Sequence, residues 1–178
     1  MTKSRCGMAL VCAATLVGAG IATAQVPETA EGIPNYKVVG PGLATAGQPS
    51  PEALQKLKEQ GFKTVINLRM EAEAGGTGPE KAAVEAQGLR YVAVPISSAS
   101  FSIEDVQAVA KVLDDVKTAP VLLHCASANR VGAVWAVMQV QKGRSLEQAE
   151  ALGREIGLSG AAMIEAMKRV AGQAAAQR

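Results

Sequence analysis

The sequence predicts an α/β domain with a parallel-type central sheet flanked by helices, and three observations carry that reading. Short β-branched runs such as Lys63-Thr64-Val65-Ile66-Asn67-Leu68-Arg69 alternate with helical patterns, and parallel strands require helical crossovers. The run Pro120-Val121-Leu122-Leu123-His124 is apolar almost throughout, as a strand covered on both faces must be. The segment Gly132 to Gln141, GAVWAVMQVQ, is apolar on nearly every helical face, which marks a helix buried in the middle of the domain.

The elements follow in order. Residues 1–24 read as a secretory signal: Lys3 and Arg5 form a basic start, Met8 to Ile21 an apolar core, and Ala22-Thr23-Ala24 a small-residue cleavage site. The apolar core is shorter than the ~20 residues a membrane span needs, so the expectation is cleavage near Ala24, a periplasmic or secreted protein, and no stable membrane insertion. Residues 25–35 are punctuated by Pro and Gly and read as an irregular lead-in. The domain is expected over 36–173, with a frayed tail over 174–178. Tyr36 to Val39 and Leu43 to Ala46 suit two short strands around Pro41-Gly42. Ser50-Pro51-Glu52 has the cap, first-turn proline and first-turn acid of a helix running to Gly61. The strand over 63–69 is followed by a Gly-rich loop, Glu71 to Gly78, and a helix from Pro79 to Gln87 that stops at Gly88. A strand over 91–96 and a polar loop over 97–101 lead to Ser102-Ile103-Glu104-Asp105, a capping box for a helix bearing Val106, Val109, Val112, Leu113 and Val116. Beyond the buried helix, two more are expected, from Ser145 to Ile156 and from Ser159 to about Gly172.

Composition excludes several classes of function. Loss of Lys3 and Arg5 with the signal brings the basic residues level with the 16 acidic ones, and only 3% of residues are aromatic, so nothing suggests nucleic-acid binding. Cys6 and Cys12 also leave with the signal. Cys125 is then alone in an oxidising compartment, without an internal disulfide partner, and is either inert and buried or kept for its reactivity.

Its neighbours favour reactivity. Cys125 stands at the carboxyl end of the apolar strand and Arg130 at the start of the buried helix, so Ala126, Ser127, Ala128 and Asn129 must turn around whatever occupies the helix N-terminus. Unpaired backbone N–H groups and the helix dipole converge there, which attracts an oxyanion and favours thiolate over thiol. The Arg130 guanidinium presents a fork that matches two oxygens of phosphate or sulfate. His124 precedes the cysteine and points to the opposite face of the strand, where it is expected to brace the loop rather than move protons. One His and one Cys without clustered acids cannot supply the four ligands of a zinc site, so no metal and no cofactor are expected.

His124-Cys125, the tight loop and Arg130 opening a buried helix resemble the cysteine-dependent tyrosine and dual-specificity phosphatase superfamily. The upstream stretch GQPSPEALQKLKEQGFKTVINLR, with its strand ending in Asn67-Leu68-Arg69, is similar to the same superfamily, and most of all to its bacterial beta-lactamase-hydrolase-like branch. The resemblance covers about Tyr36 to Gln141. It implies a phosphatase-like fold in which Cys125 attacks phosphorus, Arg130 holds the phosphoryl oxygens and Ala126 to Asn129 donate backbone N–H groups. The implied substrate is a phosphorylated small molecule or protein.

Four departures accompany the resemblance. The spacing is Cys-x4-Arg instead of the usual Cys-x5-Arg, Ala128 stands where glycine is expected, and Val131 stands where Ser or Thr usually follows the arginine. The loop that should supply a general acid reads Ser97-Ser98-Ala99-Ser100. Glu71 and Glu73 are the candidate acids best placed to substitute, because their loop follows a strand on the expected active-site edge, although a solvated, non-catalytic role is the one expected of each. Two competing functions stay open: a rhodanese-like sulfurtransferase, which the six-residue cup also resembles, and a catalytically silent phosphatase-like binding module.

Overall fold

A computed structural model describes residues 25–115 and 117–176, so the signal expected over 1–24, Val116 and the final two residues lie outside it. Five strands form one sheet: β1 (Lys37–Gly40), β2 (Leu43–Ala46), β3 (Thr64–Asn67), β4 (Arg90–Ala93) and β5 (Val121–His124). Their order is β1-β2-β5-β3-β4, with β1 antiparallel to β2 and every other pair parallel. Six helices accompany them: α1 (Pro51–Leu54), α2 (Gly78–Glu85), α3 (Ile103–Asp114), α4 (Asn129–Gln141), α5 (Leu146–Ile156) and α6 (Ala161–Ala176). The α/β architecture is the one the alternating pattern predicts.

Register matters most for function. Ala46 and Asn67 both pair with His124, and Asn67 also pairs with Ala93, so the four parallel strands end level with one another. The segments after them converge at the carboxyl edge of the sheet, where open α/β sheets bind ligands. The sheet separates two apolar layers. Val65 and Leu122 face the layer that includes Leu57, Phe62, Val84 and, from the lead-in, Val26 and Ile33. Ile66 and Leu123 face the larger layer formed with α3, α4, α5 and α6. Two-residue alternation then directs His124 to the first layer and Cys125 to the second.

The central helix α4 is buried as its all-round apolar sequence requires, and it closes on α5 through two glycines. A Cβ on Gly132 would lie 2.5 Å from the Gly153 carbonyl oxygen and 2.7 Å from the Leu158 nitrogen, so no larger residue fits.

Two elements differ from expectation. The helix foreseen from Ser50 to Gly61 is a single turn: Ser50 caps it by accepting from the Ala53 N–H at 3.1 Å, but the chain then continues as tight turns such as Lys56 N–H to Ala53 O and Gly61 N–H to Lys58 O. Leu54 and Leu57 still reach the core, so burial is satisfied without a regular helix. The frayed tail foreseen from residue 174 is helical through Ala176, because Ala171 and Ala174, each 2% exposed, extend the apolar stripe of Met163, Met167 and Val170 against the larger layer.

Candidate active site

The loop between β5 and α4 places Cys125 at the strand end and Arg130 in the first helical turn. Cys125 is fully buried. The loop is strapped from outside: the Gln48 N–H donates to the Ala126 carbonyl at 3.0 Å and Asn35 Nδ2 to the Ser127 carbonyl at 3.4 Å. Across the trans peptide, the Ser127 N–H points away from the Gln48 strap. Asn129 does more than offer its backbone. Its Oδ1 accepts from Ser159 N–H at 3.0 Å and Gly160 N–H at 3.2 Å, fixing the connection between α5 and α6 to the loop.

Ala128, where the resemblance leads one to expect glycine, has φ 66° and ψ 0°, the left-handed conformation that favours glycine. A side chain there costs roughly 1–2 kcal/mol. Gly157 makes room for the methyl group, since a Cβ on Gly157 would lie 2.9 Å from the Ala128 Cβ. Replacing Ala128 with Gly relieves the strain but adds unfolded-state entropy of about 0.5–1 kcal/mol. The expected outcome is a net stabilisation of up to ~1 kcal/mol in thermal melts. A lower melting temperature would show that methyl packing outweighs strain.

Behind the loop lies a buried polar layer. His124 Nε2 donates to Glu80 Oε1 at 2.8 Å, and His124 Nδ1 lies 3.4 Å from the Cys125 carbonyl oxygen. Glu80 Oε1 also accepts from Asn67 Nδ2 at 3.0 Å, and Oε2 from Gln48 Nε2 at 2.7 Å. Burial pushes the Glu80 carboxyl up, but the hydrogen bond and charge of His124, with Gln48 and Arg69, outweigh burial and hold it below the ordinary carboxylate range. Arg69 extends the layer, donating to Gln48 Oε1 and to the Ala74 carbonyl, each at 2.7 Å. None of Glu80, Gln48, Asn67 and Arg69 is assigned a role by the sequence alone. The one local signal is an acid directly after Pro79 in a helix that starts at the carboxyl edge of the sheet.

The two candidate acids separate. Glu71 is exposed and bonded to the Thr77 hydroxyl and, at 3.4 Å, to the Thr77 N–H, so it closes its own loop. Glu73 grips Arg130 with both oxygens, Oε1 to Nη1 and Oε2 to Nη2 at 2.9 Å, and the Met70 N–H holds Oε1 at 2.7 Å. The Arg130 hydrogen bond is the main reason that the Glu73 carboxyl falls to about 2, against burial and with help from Met70 N–H and the charges of Arg130 and Arg69. Glu73 is therefore an ion-paired anion at neutral pH, with its side chain still 28% exposed. Its bond in turn raises the Arg130 pKa against burial, and the nearby Cys125 adds to the effect. Arg130 Nη1 also donates to the Leu68 and Ile96 carbonyls at 3.3 and 3.2 Å.

Above Arg130 is a cleft of about 370 Å³ whose lining includes Met70, Glu73, Ser97, Ser98, Asn129 and Met163. Ser97 and Ser100 bond to each other, hydroxyl to hydroxyl at 2.9 Å, and bring no carboxylate into the cleft. Among the described residues, no group of three or more His, Cys, Asp or Glu is arranged to hold a metal ion.

Known proteins share the fold. Beta-lactamase hydrolase-like protein of Xylella fastidiosa (strain Temecula1) is 32% identical over 133 residues, which cover 72% of this chain. The chain spans about a third, 31%, of that relative's length. Among solved structures, a DUF442 protein of Shewanella putrefaciens CN-32 superposes with a TM-score of 0.66 at 24% identity, covering 82% of this chain and 92% of that one. The core catalytic domain of the PP-IP phosphatase SIW14 of S. cerevisiae gives 0.64 at 15% identity, covering 84% and 95%. Residues 29–171 match the family model described as DSP-PTPase phosphatase fused to NAD+ kinase, and the chain belongs to this phosphatase family.

Proposed function

We propose that this protein hydrolyses phosphate monoesters of a small molecule or protein through a phosphocysteine on Cys125, and that it does so in the periplasm or outside the cell once residues 1–24 are removed. One observation carries the reading: the way Arg130 is held. Glu73, Leu68 and Ile96 occupy Nη1 and one side of Nη2. Among the described residues no oxygen accepts from Nε–H or the second Nη2 hydrogen, and Cys125 lies close enough to interact with the guanidinium, which leaves a two-donor fork for an anion beside the N-terminus of α4 and next to the thiol.

The Cys125 thiolate attacks phosphorus, the S–P bond forms, and the P–O bond breaks with its electron pair passing to the leaving oxygen. Water then attacks the phosphocysteine, the S–P bond breaks, and inorganic phosphate leaves as the thiolate returns. Because Cys125 is buried in the free protein, the cup must open over it before phosphorus can approach.

Protonation of the leaving oxygen falls to solvent. Glu73 is an anion locked on Arg130, and Glu71 is bonded to Thr77. Without a general acid, worth about 10²–10⁴ in rate, turnover should depend steeply on leaving-group pKa, with nitrophenyl phosphates far ahead of alkyl phosphates. A series of aryl phosphates measures the slope. A flat slope that steepens in the double variant Glu71→Gln/Glu73→Gln would show that an acid does reside in that loop. The Glu73 carboxylate held on Arg130 and the buried thiol also support a silent anion-binding module, and this series separates the two readings, since such a module turns over none of the esters.

A further inference from the structure

Resting on the phosphatase reading, we infer that the cleft takes substrates with a single phosphoryl group on an uncharged, apolar-faced body and rejects polyphosphates. The cleft volume of about 370 Å³ lies in the range of small-molecule sites, so its walls meet the part of the substrate next to the ester. Those walls include two thioethers, the exposed Met70 and the largely buried Met163, together with Ile96, Ala162 and the hydroxyls of Ser97 and Ser98. Methionine side chains adapt to flat or irregular apolar groups.

The charge in the cleft is equally specific. Arg130 is the one cation of the lining and Glu73 the one anion. A phosphoryl group entering the cup meets the free Arg130 fork, the loop amides and the start of α4. A second phosphate placed elsewhere in the cleft meets thioethers, hydroxyls and the fixed Glu73 carboxylate, which repels it.

The nearby Arg69 does not compensate. It is 8% exposed and held by Gln48, Glu73, Ala74 and Gly76. The S. cerevisiae neighbour is a PP-IP phosphatase on the same fold, and this chain's cleft does not offer the cations that a substrate bearing several phosphates would need.

The test is calorimetric binding to the full chain carrying Cys125→Ser, which holds ligand without turnover, with 1-naphthyl phosphate, inorganic phosphate and inositol hexakisphosphate as probes. Naphthyl phosphate should bind at least ~10-fold tighter than inositol hexakisphosphate in about 0.15 M salt. Met70→Ser, at a surface position, should lower the ratio of naphthyl phosphate to inorganic phosphate affinity by ~5-fold. Tighter, steeply salt-dependent binding of the hexakisphosphate would overturn the inference, as would an unchanged ratio in Met70→Ser or no binding of either ester. The preference in Cys125→Ser, found alongside a parent protein that cleaves no ester, would instead overturn the hydrolase reading and leave the binding inference standing.

Discussion

Cys125→Ser is expected to reduce aryl phosphate turnover by ~10⁴-fold or more, since removing a nucleophile leaves only what the rest of the site can do by binding. The fold should survive. Serine is nearly isosteric, and although the site is buried, Arg130 lies close enough to Cys125 for the two to interact. An unsatisfied hydroxyl would cost about 1–3 kcal/mol, and a bond to Arg130 offsets part of that. Parallel measurement of turnover and thermal melting checks both halves. Parent-level turnover in the variant would end the assignment of Cys125 as nucleophile.

The largest loss of stability is expected from Glu80→Ala. Glu80 accepts from His124, Asn67 and Gln48 inside the polar layer beneath the loop. Removing it leaves the buried donors of His124 and Asn67 and the half-buried Gln48 amide without that acceptor, and breaking a buried pair in this way costs about 3–5 kcal/mol. Activity should fall too, because His124 precedes Cys125 and its ring is anchored on Glu80. Urea unfolding of parent and variant measures the effect, and a difference below ~1 kcal/mol would show that the layer does not hold the loop.

The sign of the pH dependence follows from the depressed carboxyls. Glu73 falls from 4.5 to about 2, so its ion pair stabilises the fold fully above pH 4.5, and that contribution is lost as the pH drops toward 2. Glu80 is depressed as well and acts in the same direction. The stability difference between parent and Glu80→Ala should therefore be larger at neutral pH than in strong acid.

What the sequence made legible was local. Strand, loop and helix around Cys125 are contiguous, so apolar runs and one tight turn suffice to place the cysteine at a strand end and Arg130 in a first helical turn. Glycine in the pattern the loop resembles is the one local sign of the left-handed φ found at Ala128.

The polar layer was not legible because it is assembled by topology. Gln48 follows β2, Asn67 ends β3 and Glu80 opens α2. They meet His124 only because β5 inserts between β2 and β3 in level register. The difference between Glu71 and Glu73 was equally hidden. It depends on a turn, Glu73 N–H to Met70 O at 3.1 Å, that points one carboxylate at Arg130 and leaves the other to Thr77. The short α1 shows the converse limit: cap, proline and acid start a helix correctly, but burial of Leu57 is satisfied by turns, so nothing compels the helix to continue.

The account's central claim is that Cys125 accepts a phosphoryl group. It is tested most directly by rapid acid quench of the full-length protein mixed with nitrophenyl phosphate, followed by mass spectrometry of the peptide containing Cys125. The account predicts a mass gain of one phosphoryl group on Cys125, present during turnover, absent in Cys125→Ser, and lost as substrate is exhausted. Turnover with Cys125 unmodified at every quench time, or a phosphoryl group found on another residue, would contradict it.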